Sequence, residues 1–382
     1  MTSITTRLTT LIAGLKTPIV LGAMANASGG ELAGQVSKAG GLGFLGAGYY
    51  TSVKLQSELK KAHSILDIDT IPKGSGNRVN LGVGFLAWRL TLINKGKPPT
   101  LGASDLEVDS PALELIDIAL KSKPVAIWLS FGDEEEMIGW STVVRQREAA
   151  LNGMGKSSYG KELKLFIGVG DEVQAKSAVE DCGADVVILQ GHEAGGHGMG
   201  SSPPLSASLP LLSQKLSSFA PSNPSGMKPV LLGAGGIMNG SQLAAVMAQG
   251  ADGAVFGTRF LFTPEAEYSE AQKKLLLEAG TASTKRTHAF DEARGTLGWP
   301  QGVDGRGIIN DTVKDYESGA GQSVEQRQQR YKEADSQNDK DRIVTWAGTG
   351  VGLTREIKAA VEVVEEVTKE AIESIKRLHS YL

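Results

Sequence analysis

The 382 residues are 41% apolar and 21% charged with a net charge of −4, a balance that excludes a disordered polyelectrolyte and argues against a nucleic-acid partner. One cysteine, Cys182, and five histidines exclude an internal disulfide framework and supply no zinc-ligand spacing, so no metal is expected. The polar, threonine-rich stretch 1–14 lacks the apolar core of a secretory signal and no later run approaches a membrane span, so a cytoplasmic protein without a membrane partner is expected.

In chain order, apolar runs at 18–24, 43–47, 79–85, 125–130, 163–169, 185–190, 229–233 and 253–258 read as eight strands. Helical periodicity appears between them at 31–39, 53–66, 110–121, 134–150, 172–182, 205–216 and 241–249, and a further helical run, 264–279, follows the last strand. Eight strand–helix units over roughly 260 residues fit an α/β fold of the closed (β/α)8 TIM barrel type better than an open doubly wound sheet. Glycines end the helices at Gly40, Gly183 and Gly250, each just before the next strand. Cys182 falls at one of these helix ends, where a buried small residue is expected rather than a nucleophile.

Residues 1–280 therefore read as the barrel. Residues 281–340, polar and rich in glycine turns around Trp299-Pro-Gln-Gly-Val-Asp-Gly-Arg306, read as an appended C-terminal cap region on the substrate side. Residues 341–382 end in a helix over 355–378 with Ile357, Val361, Val364, Val367, Ala371, Ile375 and Leu378 on one stripe, which needs the barrel wall or a second subunit to pack on. A monomer and a homodimer are both compatible with this pattern.

The stretch Val187-Ile-Leu-Gln-Gly-His-Glu-Ala-Gly-Gly-His-Gly198 runs a strand into a glycine-rich loop holding two histidines. A barrel gathers its chemistry at the carboxyl ends of its strands, and an imidazole there exchanges protons near neutral pH. His197 is the candidate catalytic residue; His192 reads as structural. Gly195 and Gly196 admit close approach of a ligand to the backbone.

Two more glycine turns follow the seventh and eighth strands, at Gly233-Ala-Gly-Gly236 and Gly257-Thr258. Loops in this place commonly bind phosphate through backbone N–H groups. Gly235, Gly236, Gly257 and Thr258 are the candidate phosphate ligands. No convincing dinucleotide fingerprint is present, Gly82-Val-Gly84 being the nearest stretch, so a mononucleotide such as FMN, or PLP, is indicated. No strand-end lysine suits a Schiff base, which disfavours PLP.

With these segments in view, the chain resembles the nitronate monooxygenase family, formerly called 2-nitropropane dioxygenases. The resemblance rests on Pro18-Ile-Val-Leu-Gly-Ala-Met24, Val36-Ser-Lys-Ala-Gly-Gly-Leu-Gly43, Val79-Asn-Leu81, Gln190-Gly-His-Glu-Ala-Gly-Gly-His197, Gly233-Ala-Gly-Gly-Ile237, Gly257-Thr-Arg-Phe260 and Trp346-Ala-Gly-Thr-Gly-Val-Gly-Leu353. It implies an FMN-dependent barrel enzyme, a monooxygenase that oxidises alkyl nitronates, and nitroalkanes in some settings, with O2 to carbonyl compounds and nitrite. It further implies that His197 is the general base and that Ala23, Met24 and Ala25 lie beside the flavin ring. Asn80 and Gln190 become polar contacts, Gly191, Gly195 and Gly196 line the flavin, and the four phosphate candidates keep their role. Gly168 departs from the family, many of whose members carry glutamine or lysine there. Two alternatives accompany this reading: an NAD(P)H-dependent enoyl or quinone reductase on the same barrel, and a flavin-binding module without turnover.

Overall fold

The computed structural model describes residues 3–68, 78–99, 110–152, 162–319 and 323–381. Among them lie strands β1 (Ile19–Leu21), β2 (Gly43–Gly46), β3 (Val79–Leu86), β4 (Pro124–Ser130), β5 (Lys164–Val169), β6 (Val186–Gln190), β7 (Gly196–Met199), β8 (Val230–Ala234), β9 (Gly253–Phe256), β10 (Thr284–Thr287) and β11 (Val303–Ile308). Eight of these form one sheet in the order β1-β9-β8-β6-β5-β4-β3-β2, paired in parallel throughout. Its two edges meet: Leu21 N–H donates to Leu42 O and Leu42 N–H to Ile19 O, both at 2.9 Å. The sheet is a (β/α)8 barrel, and its strands are the eight expected runs.

Strands covered on both faces are apolar at nearly every position; in β6, Val186, Val187, Ile188 and Leu189 are all buried. Alternate residues divide the work. Phe44, Ala126, Phe166, Val186, Ile188, Val230, Leu232 and Val255 fill the barrel interior, while Leu81, Val83, Leu165, Ile167, Val187 and Leu189 pack outward under the helices. Inside, Phe44 meets Trp128 and Phe166 edge-on at 5.3 and 5.2 Å. The short helix Arg7–Leu11 closes the amino end of the barrel, with Leu8 and Ile12 buried in the same cluster.

The helices start where side chains satisfy their free N–H groups. Thr51, Asp171 and Asn239 accept from Lys54, Gln174 and Gln242 N–H at the heads of Ser52–Ile65, Glu172–Glu180 and Gly240–Ala248. The expected helix 264–279 is shorter, Glu270–Glu278, because Ser269 and Gln272 form a reciprocal capping box that sets its start. The final helix likewise spans Ala360–His379 rather than 355–378. Val363, Val364, Val367 and Ala371 are buried against the barrel wall, whereas Ile375 and Leu378 are exposed. Cys182 is buried and free, and burial pushes its thiol up to about 11, consistent with a packing role.

The main departure from the sequence reading is the glycine-rich loop. Gly196–Met199 is itself a strand, paired antiparallel with β11 in a second sheet of order β10-β11-β7, with His197 opposite Gly305. Arg286 of β10 locks it further, its guanidinium donating to Gly198 O at 2.8 Å and to Asp304 Oδ1 at 2.5 Å. Among the described helices none is long and apolar enough to cross a membrane.

Candidate active site

A cavity of about 210 Å3 opens at the carboxyl end of the barrel strands. Ala23, Met24 and Ala25 line it after β1, Gln190 at the end of β6, Gly195 just before β7, Gly196 and His197 on β7, Gly235 and Gly236 after β8, and Gly257 and Thr258 after β9. Eleven of the thirteen residues singled out in the sequence therefore meet on one surface. Two do not.

Asn80 is the first correction. It is the second residue of β3, at the opposite end of the barrel, where its Nδ2 donates to Ala13 O at 3.0 Å. It ties the N-terminal plug to the barrel floor. Gly191 is the second: a Cβ there would lie 2.7 Å from Leu205 Cβ and 2.6 Å from Glu193 Oε2. It is packed against the start of the following helix and does not line the cavity.

The walls facing the phosphate candidates are bare backbone. Gly235 and Gly236 hold φ of +127° and +69°, which L side chains rarely adopt. An added Cβ on Gly257 would meet only Met24 Sδ at 3.6 Å, and one on Gly196 nothing within 4 Å. Thr258 Oγ1 accepts from Gly348 N–H at 2.9 Å, leaving its own proton to donate. Bare backbone, positive-φ turns and a hydroxyl at the ends of β8 and β9 fit a phosphate, and the open faces of Gly196 and Gly257 leave room for the group it carries. Gln190 both lines the cavity and bonds His197 O through Nε2 at 2.9 Å.

At Gly168 a Cβ would lie 2.2 Å from Ser130 Oγ and 3.1 Å from Trp128 Nε1. Those two groups, hydrogen-bonded at 2.7 Å, already occupy the space. Both line the cavity, so β4 supplies the polar wall that β5 leaves bare.

His197 is held from several sides. Its Nε2 lies 2.8 Å from Asp291 Oδ2, its ring stacks on Trp299 at 3.6 Å and 10°, and Trp346 tilts against it at 4.9 Å. Burial lowers the imidazole pKa from its ordinary value; Asp291 works the other way, and Arg294 and Arg286 add to the lowering. The ring is therefore neutral, and able to accept a proton, at pH 7. Arg294 is the one Lys, Arg, Asp or Glu lining the cavity among the described residues. His192 does not line it; its carbonyl accepts from Arg306.

The sequence reading missed Asp291, Arg294, Trp299 and Trp346 as members of the site. Trp299 stood out at the centre of the cap region and Trp346 in a glycine-rich run, but nothing local tied either to His197.

Comparison with known proteins gives a consistent picture. The family model described as nitronate monooxygenase matches residues 6–74 and 164–370. A nitronate monooxygenase of Neurospora crassa is 29% identical, covering 98% of this chain and 95% of its own, and one of Metarhizium robertsii is 30% identical, covering 93% and 91%. Among solved structures, nitroalkane oxidase from Streptomyces ansochromogenes aligns with a TM-score of 0.68 at 26% identity over 97% of this chain and 99% of that one. FabK from Thermotoga maritima aligns with a TM-score of 0.71 over 100% of both chains at 22% identity, a likeness of fold.

Proposed function

Because the chain belongs to the nitronate monooxygenase family of oxidoreductases, we propose that it binds FMN in the barrel mouth and oxidises alkyl nitronates, and neutral nitroalkanes, with O2 to carbonyl compounds and nitrite. The observation that carries this reading is the opening of the glycine turns at 235–236 and 257–258 and of the His197 imidazole onto one cavity.

In this reading the backbone of Gly235, Gly236, Gly257 and Thr258 would hold the phosphate, and residues 23–25 and the bare backbone of Gly196 would receive the flavin. The bound flavin supplies the redox chemistry with O2. The protein orients the substrate, excludes water and moves one proton. For a neutral nitroalkane the neutral His197 imidazole removes the proton on the carbon bearing the nitro group, and the C–H electron pair becomes the nitronate charge. Arg294 is the cation available to offset that charge. Trp299 and Trp346 wall the base from bulk solvent. The likeness to nitroalkane oxidase from Streptomyces ansochromogenes supports including neutral substrates.

The test is oxygen uptake with nitrite release on ethylnitronate, propionate 3-nitronate and nitroethane, with the cofactor identified after denaturation. Nitrite production without added nicotinamide supports the proposal. Anaerobic reduction of the bound flavin by NADPH with no nitronate turnover would replace it by a reductase, and a yellow protein inert to all substrates would leave a binding module.

A further inference from the structure

Resting on that reading, we propose that Asp291 is a positioning residue: it fixes the tautomer of His197 so that Nδ1, and not Nε2, takes the substrate proton. The carboxylate is 1% exposed. Its Oδ2 lies 2.8 Å from His197 Nε2 and its Oδ1 accepts from Thr296 Oγ1 at 2.9 Å. An ionised carboxylate only accepts, so the neutral imidazole carries its proton on Nε2 and its lone pair on Nδ1.

The ring does not readily exchange the two nitrogens. Trp299 covers one face, Trp346 crowds it at an angle, and the His197 backbone is fixed by its strand pairing with Gly305 and by Gln190. Asp291 is equally constrained. It sits on the helix Ala289–Arg294, whose Ala289 and Phe290 are buried, and Phe290 packs edge-on against Trp346 at 5.3 Å. The region beyond the barrel thus aims the base that the barrel side presents.

The pair also shapes the proton transfer. Burial opposes the imidazolium, and Arg294 and Arg286 oppose it further. Asp291 is the group acting in its favour. When the substrate C–H bond breaks and the proton arrives at Nδ1, the new positive charge stands against a buried carboxylate, and a weaker base becomes an adequate one.

The flavin-loaded enzyme and its Asp291→Asn variant are compared on nitroethane, which must lose a proton, and on ethylnitronate, which already has. Turnover of nitroethane in the variant is expected to fall by about tenfold or more, with its acid limb moved to lower pH, while ethylnitronate turnover and flavin content stay within about twofold. Equal loss on both substrates would assign Asp291 a merely structural role. Thr296→Val, which removes only the bond to Oδ1, is expected to show the same pattern more weakly, and serves if Asp291→Asn does not fold.

A second measurement needs no substitution. In wild-type protein labelled with 15N-histidine, the His197 resonances should report a protonated Nε2 and an unprotonated Nδ1 at neutral pH. A proton on Nδ1 overturns the assignment. Wild-type enzyme that consumes ethylnitronate but never nitroethane overturns the proton-transfer role alone, whereas failure on both substrates removes the proposed activity and leaves the tautomer to the 15N spectrum.

Discussion

Gly257 allows the phosphate grip to be tested apart from the fold. Its φ of −100° is open to ordinary residues, and a Cβ would touch only Met24 Sδ at 3.6 Å, so Gly257→Val places its branches in the cavity rather than in the protein. The apoprotein should keep its stability within about 0.5 kcal/mol, as for a substitution outside the packed core. Bound phosphate loses one or two backbone N–H contacts, each a bond to a charged group worth about 1.5–3 kcal/mol. A loss of roughly 2–4 kcal/mol raises the FMN dissociation constant by about 30- to 1,000-fold. Fluorescence titration of apoprotein with FMN and with riboflavin reads this directly. Riboflavin lacks the phosphate, so wild type should prefer FMN strongly and the variant should largely lose that preference. Unchanged FMN affinity in the variant, or a wild type indifferent to the phosphate, would refute the assignment of the grip.

The lowered pKa of buried His197 predicts that kcat/KM for nitroethane rises with pH through a value below the imidazole's ordinary 6.5, because the deprotonated ring is the active form; the profile for ethylnitronate should lack this limb, and a limb above pH 7 would contradict the cause assigned. Phe166 is fully buried between Phe44 and the other interior side chains, so Phe166→Ala should cost roughly 3–5 kcal/mol, read as a lower denaturation midpoint in urea. Gly240 abuts the final helix, where a Cβ would lie 2.3 Å from Ala371 N and Val367 O. Gly240→Val should therefore loosen that helix, costing about 1–3 kcal/mol and exposing the C-terminal segment to limited proteolysis while the barrel resists.

Much of the barrel was legible because its physics is local. Buried parallel strands write themselves as continuous apolar runs, and Gly40, Gly183 and Gly250, all at positive φ, mark where helices stop. That the glycine turns at 235–236 and 257–258 open on the barrel mouth was legible for the same reason, since strand ends and the glycines after them lie in adjacent positions. Asn80 was misplaced although a signal existed: a residue at the amino end of a barrel strand faces the floor, not the mouth. Gly191 was misplaced because its neighbours Glu193 and Leu205 close over it, a packing detail its own position does not carry. The rest of the site is long-range. Asp291 lies 94 residues from the histidine it contacts, Trp299 reaches His197 from the segment leading into β11, and the pairing that turns Gly196–Met199 into a strand depends on Val303–Ile308. No periodicity in either segment announces the other.

The most direct measurement is a crystal structure of the protein loaded with its released cofactor and a bound nitronate. The account predicts FMN, its phosphate on the backbone of Gly235, Gly236, Gly257 and Thr258, and the nitronate carbon between the flavin ring and His197 Nδ1, with Asp291 still on Nε2. A phosphate bound away from the ends of β8 and β9, or a substrate out of reach of His197, would contradict it.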